Sequence, residues 1–247
     1  MVQNAPTPDP CRDEALKSHR ILVVEADPAV SASIGHGLRE AGFTVDVEAD
    51  GLTAIETARR ERPGLVIMDR AVPTVDGLTV CRYIRWGERI PVIMLAAPSD
   101  EHDRIDGLEA GADEYLDRAV SPRELILRAM SVLRLRSDSV GDEAASDAGE
   151  FHLDHAARKI TRAGEGLPLT LREFDLLAFL IEHPGRVFAR EDLLRSVWGW
   201  EFGDLSTVTV HVRRLREKIE TDPAQPTVLA TVWGMGYRFD PAPAAAN

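Results

Sequence analysis

RILVVEADP, Arg20–Pro28, is the stretch from which the first half of the chain can be read. Ile21–Val24 is an unbroken apolar run, the pattern of a parallel strand covered on both faces. It stops at two acids, Glu25 and Asp27, with Ala26 between them. Asp27-Pro28 is then a helix start, a capping carboxylate followed by proline at the first helical position. The same grammar recurs as far as about Arg136. GFTVDV, GLVIMD, IPVIMLA and DEYL are short apolar runs, each followed by a stretch with apolar residues at helical spacing. Ser121-Pro-Arg-Glu124 opens the last of these helices as a capping box. Five strand–helix units over residues 19–136 predict a five-stranded, doubly wound parallel (βα)5 sheet with helices on both faces.

The grammar changes after residue 136. SDSVGDEAASDAGE, residues 137–150, is small and acidic, and 137–149 reads as a flexible acidic linker. FHLD, KITR and LPLT are short strand-like runs. Helical patterns follow at Leu171–Glu182, opened by the capping box Thr170-x-x-Glu173, at Glu191–Trp198 and at about Thr207–Glu220. TVLATVWGMGYRF reads as two strands around a Gly234-Met-Gly236 hairpin. This order over residues 150–240 predicts a small winged helix-turn-helix domain. Residues 1–18, with three prolines and no apolar segment, and residues 241–247 are read as disordered tails; the first is not a signal peptide.

No run approaches the roughly 18 apolar residues of a membrane helix. The two cysteines, Cys11 and Cys81, make no disulfide framework, so a reduced, cytoplasmic setting is expected. The net charge of −12 is unevenly spread. Residues 1–136 carry −6, residues 137–150 hold five acids and no base, and the remainder carries −1. Overall charge therefore neither supports nor forbids DNA binding by the last third.

In a doubly wound sheet the ligand site lies beyond the carboxyl ends of the strands. The sequence puts Glu25 and Asp27 there after the first strand, Asp69 and Arg70 after the third, Ala96 and Ala97 after the fourth, and Arg118 after the fifth. Glu25 and Asp69 make an acidic mouth that Arg118 faces. With RILVVEADP, the stretches PGLVIMDRAVPTVDGLTVCRYIR, PVIMLAAPSDEHDRIDGLEAGADEYL and SPREL make residues 20–136 resemble the receiver domain of a two-component response regulator. The whole chain resembles the OmpR/PhoB subfamily. The resemblance implies that Asp69 is the phosphoryl acceptor, that Mg²⁺ sits between it and an acidic pair, and that Tyr115 is the aromatic switch. The physical need is neutralisation of the charge on the transferred group. This chain departs from the pattern at several positions. Glu25 matches the first acid of the pair, but the second falls on Ala26. The threonine or serine falls on Ala96, the lysine on Arg118, and the proline and phenylalanine after it on Ala119 and Val120. Magnesium demands near-octahedral oxygen ligation, so no cofactor is expected, and a site at Glu25 and Asp69 would be weak. Arg118 is expected to fill the metal position and pair with Asp69, with Arg70 adding positive charge. Asp27 is expected to cap its helix.

The same resemblance implies a homodimer through Asp103, Arg104, Asp113, Glu114, Glu124 and Arg128, whose charges alternate on adjoining elements. A two-fold partner suits double-stranded DNA with repeated half-sites. In STVTVHVRRLREKIE, Val208, Val212, Leu215 and Ile219 form a buried stripe, and Thr207, Val210, Arg213, Arg214 and Glu217 project the other way. LTLREFDLLAFLIEHPGRVFAREDLL, VWG, TVTVHVRRLREKIE and GYRF carry the resemblance to the OmpR/PhoB winged helix, and it makes Thr207–Glu220 the recognition helix. Arg214 is then the base reader, and Val210 meets a thymine methyl. Thr207, His211, Arg213 and Arg216 contact phosphates. Arg238 is the wing cation. Trp233 stands where the family often has a basic residue; it is expected to pack on its own domain, the alternative being a wedge or a stack on sugars. The family's contact with RNA polymerase falls on the aromatic loop Trp198–Phe202, where ring packing is the alternative for at least Trp198.

The resulting expectation is a non-enzymatic, DNA-binding transcription regulator whose receiver works without phosphorylation by a histidine kinase. Three alternatives remain: a conventional kinase-dependent regulator phosphorylated on Asp69, an atypical receiver sensing a small acidic ligand through Arg70 and Arg118, and an enzyme turning over phosphoesters. The last is disfavoured by Ala26 and Ala96.

Overall fold

The computed structural model describes residues 19–87, 90–97, 101–137, 146–200 and 203–241. The expected tails at 1–18 and 242–247 and the linker over 138–145 lie outside the described residues. The chain divides into two compact units, residues 1–98 with 116–137, and residues 99–115 with 138–247.

The first half alternates strands and helices: β1 (Arg20–Val24), α1 (Pro28–Glu40), β2 (Thr44–Glu48), α2 (Gly51–Glu61), β3 (Leu65–Asp69), α3 (Gly77–Gly87), β4 (Val92–Ala96), α4 (Glu101–Glu109), β5 (Glu114–Asp117) and α5 (Pro122–Ser137). The sheet runs β2-β1-β3-β4-β5, with β1 parallel to both β2 and β3, and β3 parallel to β4. Strands β3 and β4 are buried along their whole length, which is why they read as continuous apolar runs. Asp27 caps α1, its Oδ1 accepting from Ala29 N at 2.8 Å and Val30 N at 3.3 Å. Asp50 does the same for α2. Each bond satisfies an amide that the first helical turn leaves without a partner.

The second half contains β6 (Ser146–Ala148), β7 (Phe151–Asp154), β8 (Lys159–Arg162), β9 (Glu165–Gly166), α6 (Leu171–Ile181), β10 (Val187–Phe188), α7 (Arg190–Leu193), α8 (Ser206–Ile219), β11 (Leu229–Val232) and β12 (Gly236–Phe239). Strands β6 to β9 form an antiparallel sheet, and β10-β12-β11 form a second. Three expectations are corrected here. Residues 146–148, assigned to the linker, pair with β7 because Ala148 is buried against the core. LPLT is not a strand; Leu169 anchors it in the core and Thr170 caps α6. The helix expected over Glu191–Trp198 changes to a π-helical turn at Leu194–Trp198. That turn seats Trp198 in the core and ends at Gly199, whose φ of 72° lies in the left-handed region.

The core of this half brings Phe151, Leu176, Leu180, Trp198, Leu215 and Phe239 together. Val208, Val212, Leu215 and Ile219 of α8 are all buried in it. A Cβ on Gly236, where φ is 138°, would lie 1.9 Å from the Phe188 carbonyl oxygen, so this position of the hairpin admits only glycine. The expected packing of Trp233 on its own domain is also corrected: the ring is 90% exposed, with Met235 beside it at 61%.

Candidate functional site

At the strand ends of the first unit, Glu25 and Asp69 are buried at the tips of β1 and β3. Arg118, just after β5, reaches both. Its Nη2 donates to Glu25 Oε1 at 2.6 Å, and its Nε lies 3.0 Å from Asp69 Oδ2. The first contact is a directed hydrogen bond; the second is a charge contact without that alignment. The remaining donors are backbone amides. Asp27 N donates to Glu25 Oε1 at 2.8 Å, and Ala71 N donates to Asp69 Oδ1 at 2.7 Å. Arg118 N is fixed to the Ala96 carbonyl at 2.6 Å, which ties β5 to β4 at the mouth. Burial pushes the Glu25 carboxyl above its ordinary value, against the Asp27 amide, which lowers it. Asp69 raises it further and Arg118 lowers it. Asp27 is turned outward to cap α1, and Arg70 is half-buried at the end of β3. Tyr115 is buried on β5. Among the described residues, no group of three or more His, Cys, Asp or Glu is placed to hold a metal ion.

In the second unit the expected DNA-reading residues lie along α8, with different fates. Arg213 is exposed, paired with Glu109 and, at 3.4 Å, with Glu217. Arg214 is only 12% exposed, 2.8 Å from the buried Glu173 and bonded to the Leu108 carbonyl at 2.9 Å. Burial pushes the Glu173 carboxyl up, but Arg214 and Lys218 outweigh it and hold the group below its ordinary range.

Three phosphate or base roles expected from sequence do not fit the burial found, and a fourth residue, Arg216, is engaged within the domain. Thr207, Val210 and His211 are buried, Val210 in a cavity wall shared with Ile105 and Arg190. His211 Nδ1 lies 2.8 Å from the Thr207 carbonyl, and its ring meets the Trp198 ring edge-on at 5.1 Å. Burial, then Arg214, lowers its pKa to about 4. Arg216 ties α8 to the hairpin through the Leu229 carbonyl, at 3.0 and 2.7 Å, and Thr231 Oγ1. Arg238 faces Asp240 at 2.8 Å. Trp198 and Trp200 of the aromatic loop are buried; Glu201 and Phe202 lie outside the described residues.

The charged residues expected at a dimer face have partners within this chain. Arg104 pairs with Asp204, and Glu114 with Arg172 at 2.6 Å; both members of the second pair are fully buried. Asp113 Oδ1 accepts the Arg172 amide at 3.5 Å. Asp103 is half-buried on α4. Glu124 and Arg128 bond one another along α5 at 3.0 Å. The sequence did not point to Arg172. Its one signal was a cation beside two acids in the first turns of a largely apolar helix, LREFDLLAFLI.

A five-stranded doubly wound sheet with an aspartate at the end of its central strand, joined to a winged helix, defines a response regulator with a DNA-binding output domain. Comparison with known proteins agrees on both halves. Residues 21–130 match the family described as response regulator receiver domain, and residues 164–239 match transcriptional regulatory protein, C terminal. The DNA-binding response regulator MtrA of Mycobacterium tuberculosis is 43% identical over 223 residues, covering 90% of this chain and 97% of that one. The alkaline phosphatase synthesis transcriptional regulatory protein SphR of Synechococcus elongatus is 40% identical over 237 residues, covering 91% and 92%. A solved RitR mutant superposes with a TM-score of 0.73 at 23% identity, covering 91% of this chain and 100% of that one; it speaks to the fold alone. The chain belongs to the OmpR/PhoB family of DNA-binding response regulators.

Proposed function

We propose that this regulator controls transcription from the cytoplasm, as a dimer on repeated half-sites, and that its output does not depend on aspartyl phosphorylation. The observation that carries the independence from phosphorylation is Arg118 held against both Glu25 and Asp69. A guanidinium there supplies the positive charge a divalent cation supplies in a conventional receiver, and it is covalently fixed. The donor set does not fit magnesium. Ala26 offers a methyl where a carboxylate ligand belongs, and Ala96 offers no hydroxyl for an incoming phosphoryl group. With its carboxylate engaged, and with a donor set ill suited to the cation that would shield the approach of an anion, Asp69 is a poor nucleophile.

The same pairing speaks against the small acidic ligand. The cavity of about 380 Å³ beside Arg118 is walled by apolar residues, including Val30, Ile34, Leu95 and Leu125, and the arginine's charge is already spent on two carboxylates. Kinase and RNA polymerase contacts have no comparable support.

Incubation of the full chain with Mg²⁺ and acetyl phosphate, followed by intact mass, tests the reading. The expected outcome is the unmodified mass. Stoichiometric phosphate that disappears in Asp69→Asn refutes it.

A further inference from the structure

The outer face of α2 and α3 is apolar and indented. Helix α3 turns Val80, Cys81 and Ile84 inward and leaves Tyr83 and Trp86, three residues apart, on its outer side. Trp86 is 93% exposed and Tyr83 46%, and Leu52 on α2 is 49% exposed. Beside Trp86 lies a cavity of about 410 Å³, walled by Ile55 and Ala58 of α2, by Tyr83 and Ile84 of α3, and by Ile90 ahead of β4. The exposed Arg59 and Trp86 complete its lining. Its volume is that of pockets which take a ring system. The charges expected at a contact between copies, Arg104 and Glu114, are already paired with Asp204 and Arg172. Those on α2 and α3 are not: among the described residues, Glu56, Arg59 and Arg82 are exposed and make no ion pair. A projecting ring and a cavity of ring size, side by side on one surface, make that surface complementary to itself. A two-fold rotation lays each ring over the cavity of the other copy. An unrelated partner would need both features at the matching spacing, whereas a second copy has them by construction.

We infer that the chain pairs with a second copy through α2 and α3, each Trp86 seated in the other copy's cavity with that copy's Arg59 guanidinium over the ring. This rests on the dimer reading and deepens it, by naming a face that a second copy reaches without breaking the Glu114–Arg172 pair. The area available sets the strength. Aromatic side chains bury about 150–250 Å² each, so Trp86, Tyr83 and Leu52 together offer roughly 400 Å² per copy. That is about half of what each partner buries in a standard interface, and Glu56, Arg59 and Arg82 around them add a polar rim carrying both signs of charge. The pairing is therefore weak and reversible, with a dissociation constant on the order of 10 µM, and Trp86 is its central anchor.

The test is sedimentation equilibrium of the full chain, without DNA, from roughly 1 to 100 µM. Trp86→Ala, at an exposed position where truncation spares the fold, is expected to raise the dissociation constant by on the order of 30-fold. Ile55→Arg, which fills the half-buried cavity wall, is expected to do the same. Mixed together, the two variants restore one ring and one open cavity, so a heterodimer should form more readily than either homodimer. In a Trp233→Phe background, which removes the other highly exposed indole, the emission of Trp86 should become shielded from acrylamide as concentration rises. A dimer that both Trp86→Ala and Ile55→Arg leave intact overturns the α2–α3 face while the dimer reading stands. A chain that stays monomeric at roughly 100 µM overturns both. Shielding of Trp86 that is equal at every concentration overturns the pairing in favour of a cover from the same chain.

Discussion

Replacement of Arg118 by alanine isolates the electrostatics of the altered receiver. It leaves Glu25 and Asp69, 3% and 5% exposed at their side chains, without their shared cation. Two unit charges a few ångströms apart at an effective dielectric of 20 repel by roughly 3–4 kcal/mol. Breaking a fully buried pair costs about 3–5 kcal/mol, and the partial exposure of the guanidinium brings the estimate toward the lower end. The protein has an escape, because Glu25 can take a proton. From its ordinary value of 4.5, protonation at pH 7 costs about 3 kcal/mol, so the loss is capped near that figure; at pH 5 the cap falls below about 1 kcal/mol. The sign follows from linkage. Glu25 has a folded-state pKa raised above the unfolded value, and removing Arg118 raises it further. The stability that protonation confers is therefore fully present below 4.5 and is lost as pH rises through the folded-state value. Urea denaturation of the full chain and of Arg118→Ala at pH 7 and pH 5 measures this. The variant should lose about 2–3 kcal/mol at pH 7 and most of that deficit should vanish at pH 5, with Asp69→Asn restoring stability in the Arg118→Ala background. A deficit equal at both pH values, or none at pH 7, would show that Arg118 does not neutralise the two carboxylates.

His211 is neutral and buried, with a pKa near 4 against 6.5 in an unfolded chain. Because the depressed value disfavours the proton in the folded state, its contribution is present above 6.5 and is lost as pH falls toward 4, by about 3 kcal/mol. The ring should show no titration above pH 5 by NMR, and His211→Gln should flatten the stability profile across that window. Gly236→Ala forces a methyl onto the Phe188 carbonyl at a φ of 138°, so the hairpin should be lost, visible as a drop of several °C in Tm and weakened DNA binding. Arg214→Lys keeps a charge for Glu173 but loses the planar fork, so the fold should survive while discrimination between the selected duplex and a random one falls by about 1–3 kcal/mol. Arg213→Ala should weaken both duplexes alike; equal losses for Arg214→Lys on both would remove Arg214 as base reader.

The sheet was legible because its strands are buried on both faces, so Leu65–Asp69 and Val92–Ala96 announce themselves as apolar runs ending at the site. Glu25, Asp69 and Arg118 could be brought together from sequence for the same reason: topology alone puts strand ends side by side. Helix α8 was half legible. Its inward stripe followed from helical spacing, but Thr207 and Val210 were placed outward and His211 against a phosphate on a two-faced helix, whereas α8 also has packing around its flanks from Trp198 and from the 99–115 segment. Arg172 was opaque because a buried arginine depends on partners remote in sequence, at Glu114 and at the carbonyl of Val197. Trp233 failed for the opposite reason. Hydrophobicity predicts burial on average, and an exposed indole on a turn is a departure that local pattern does not encode.

The charges on α4 and β5 link the two proposed activities. A carboxylate with no exposed surface cannot meet a partner on another molecule without leaving the contacts that bury it. Glu114 is committed to Arg172 inside the second unit, and Arg104 to Asp204, just ahead of α8. A dimer that uses Glu114 and Arg104 must first release Arg172 and Asp204. Removing one partner of a buried pair costs about 3–5 kcal/mol, so release is opposed unless the new partner offers equivalent bonds. Leu108 and Glu109, bonded to Arg214 and Arg213, belong to the same segment. In such a dimer, competition for these few groups would couple partner exchange to the freedom of Arg213 and Arg214, the arginines assigned to DNA. That coupling needs no phosphoryl group, which is consistent with a receiver whose central aspartate is already engaged by an arginine.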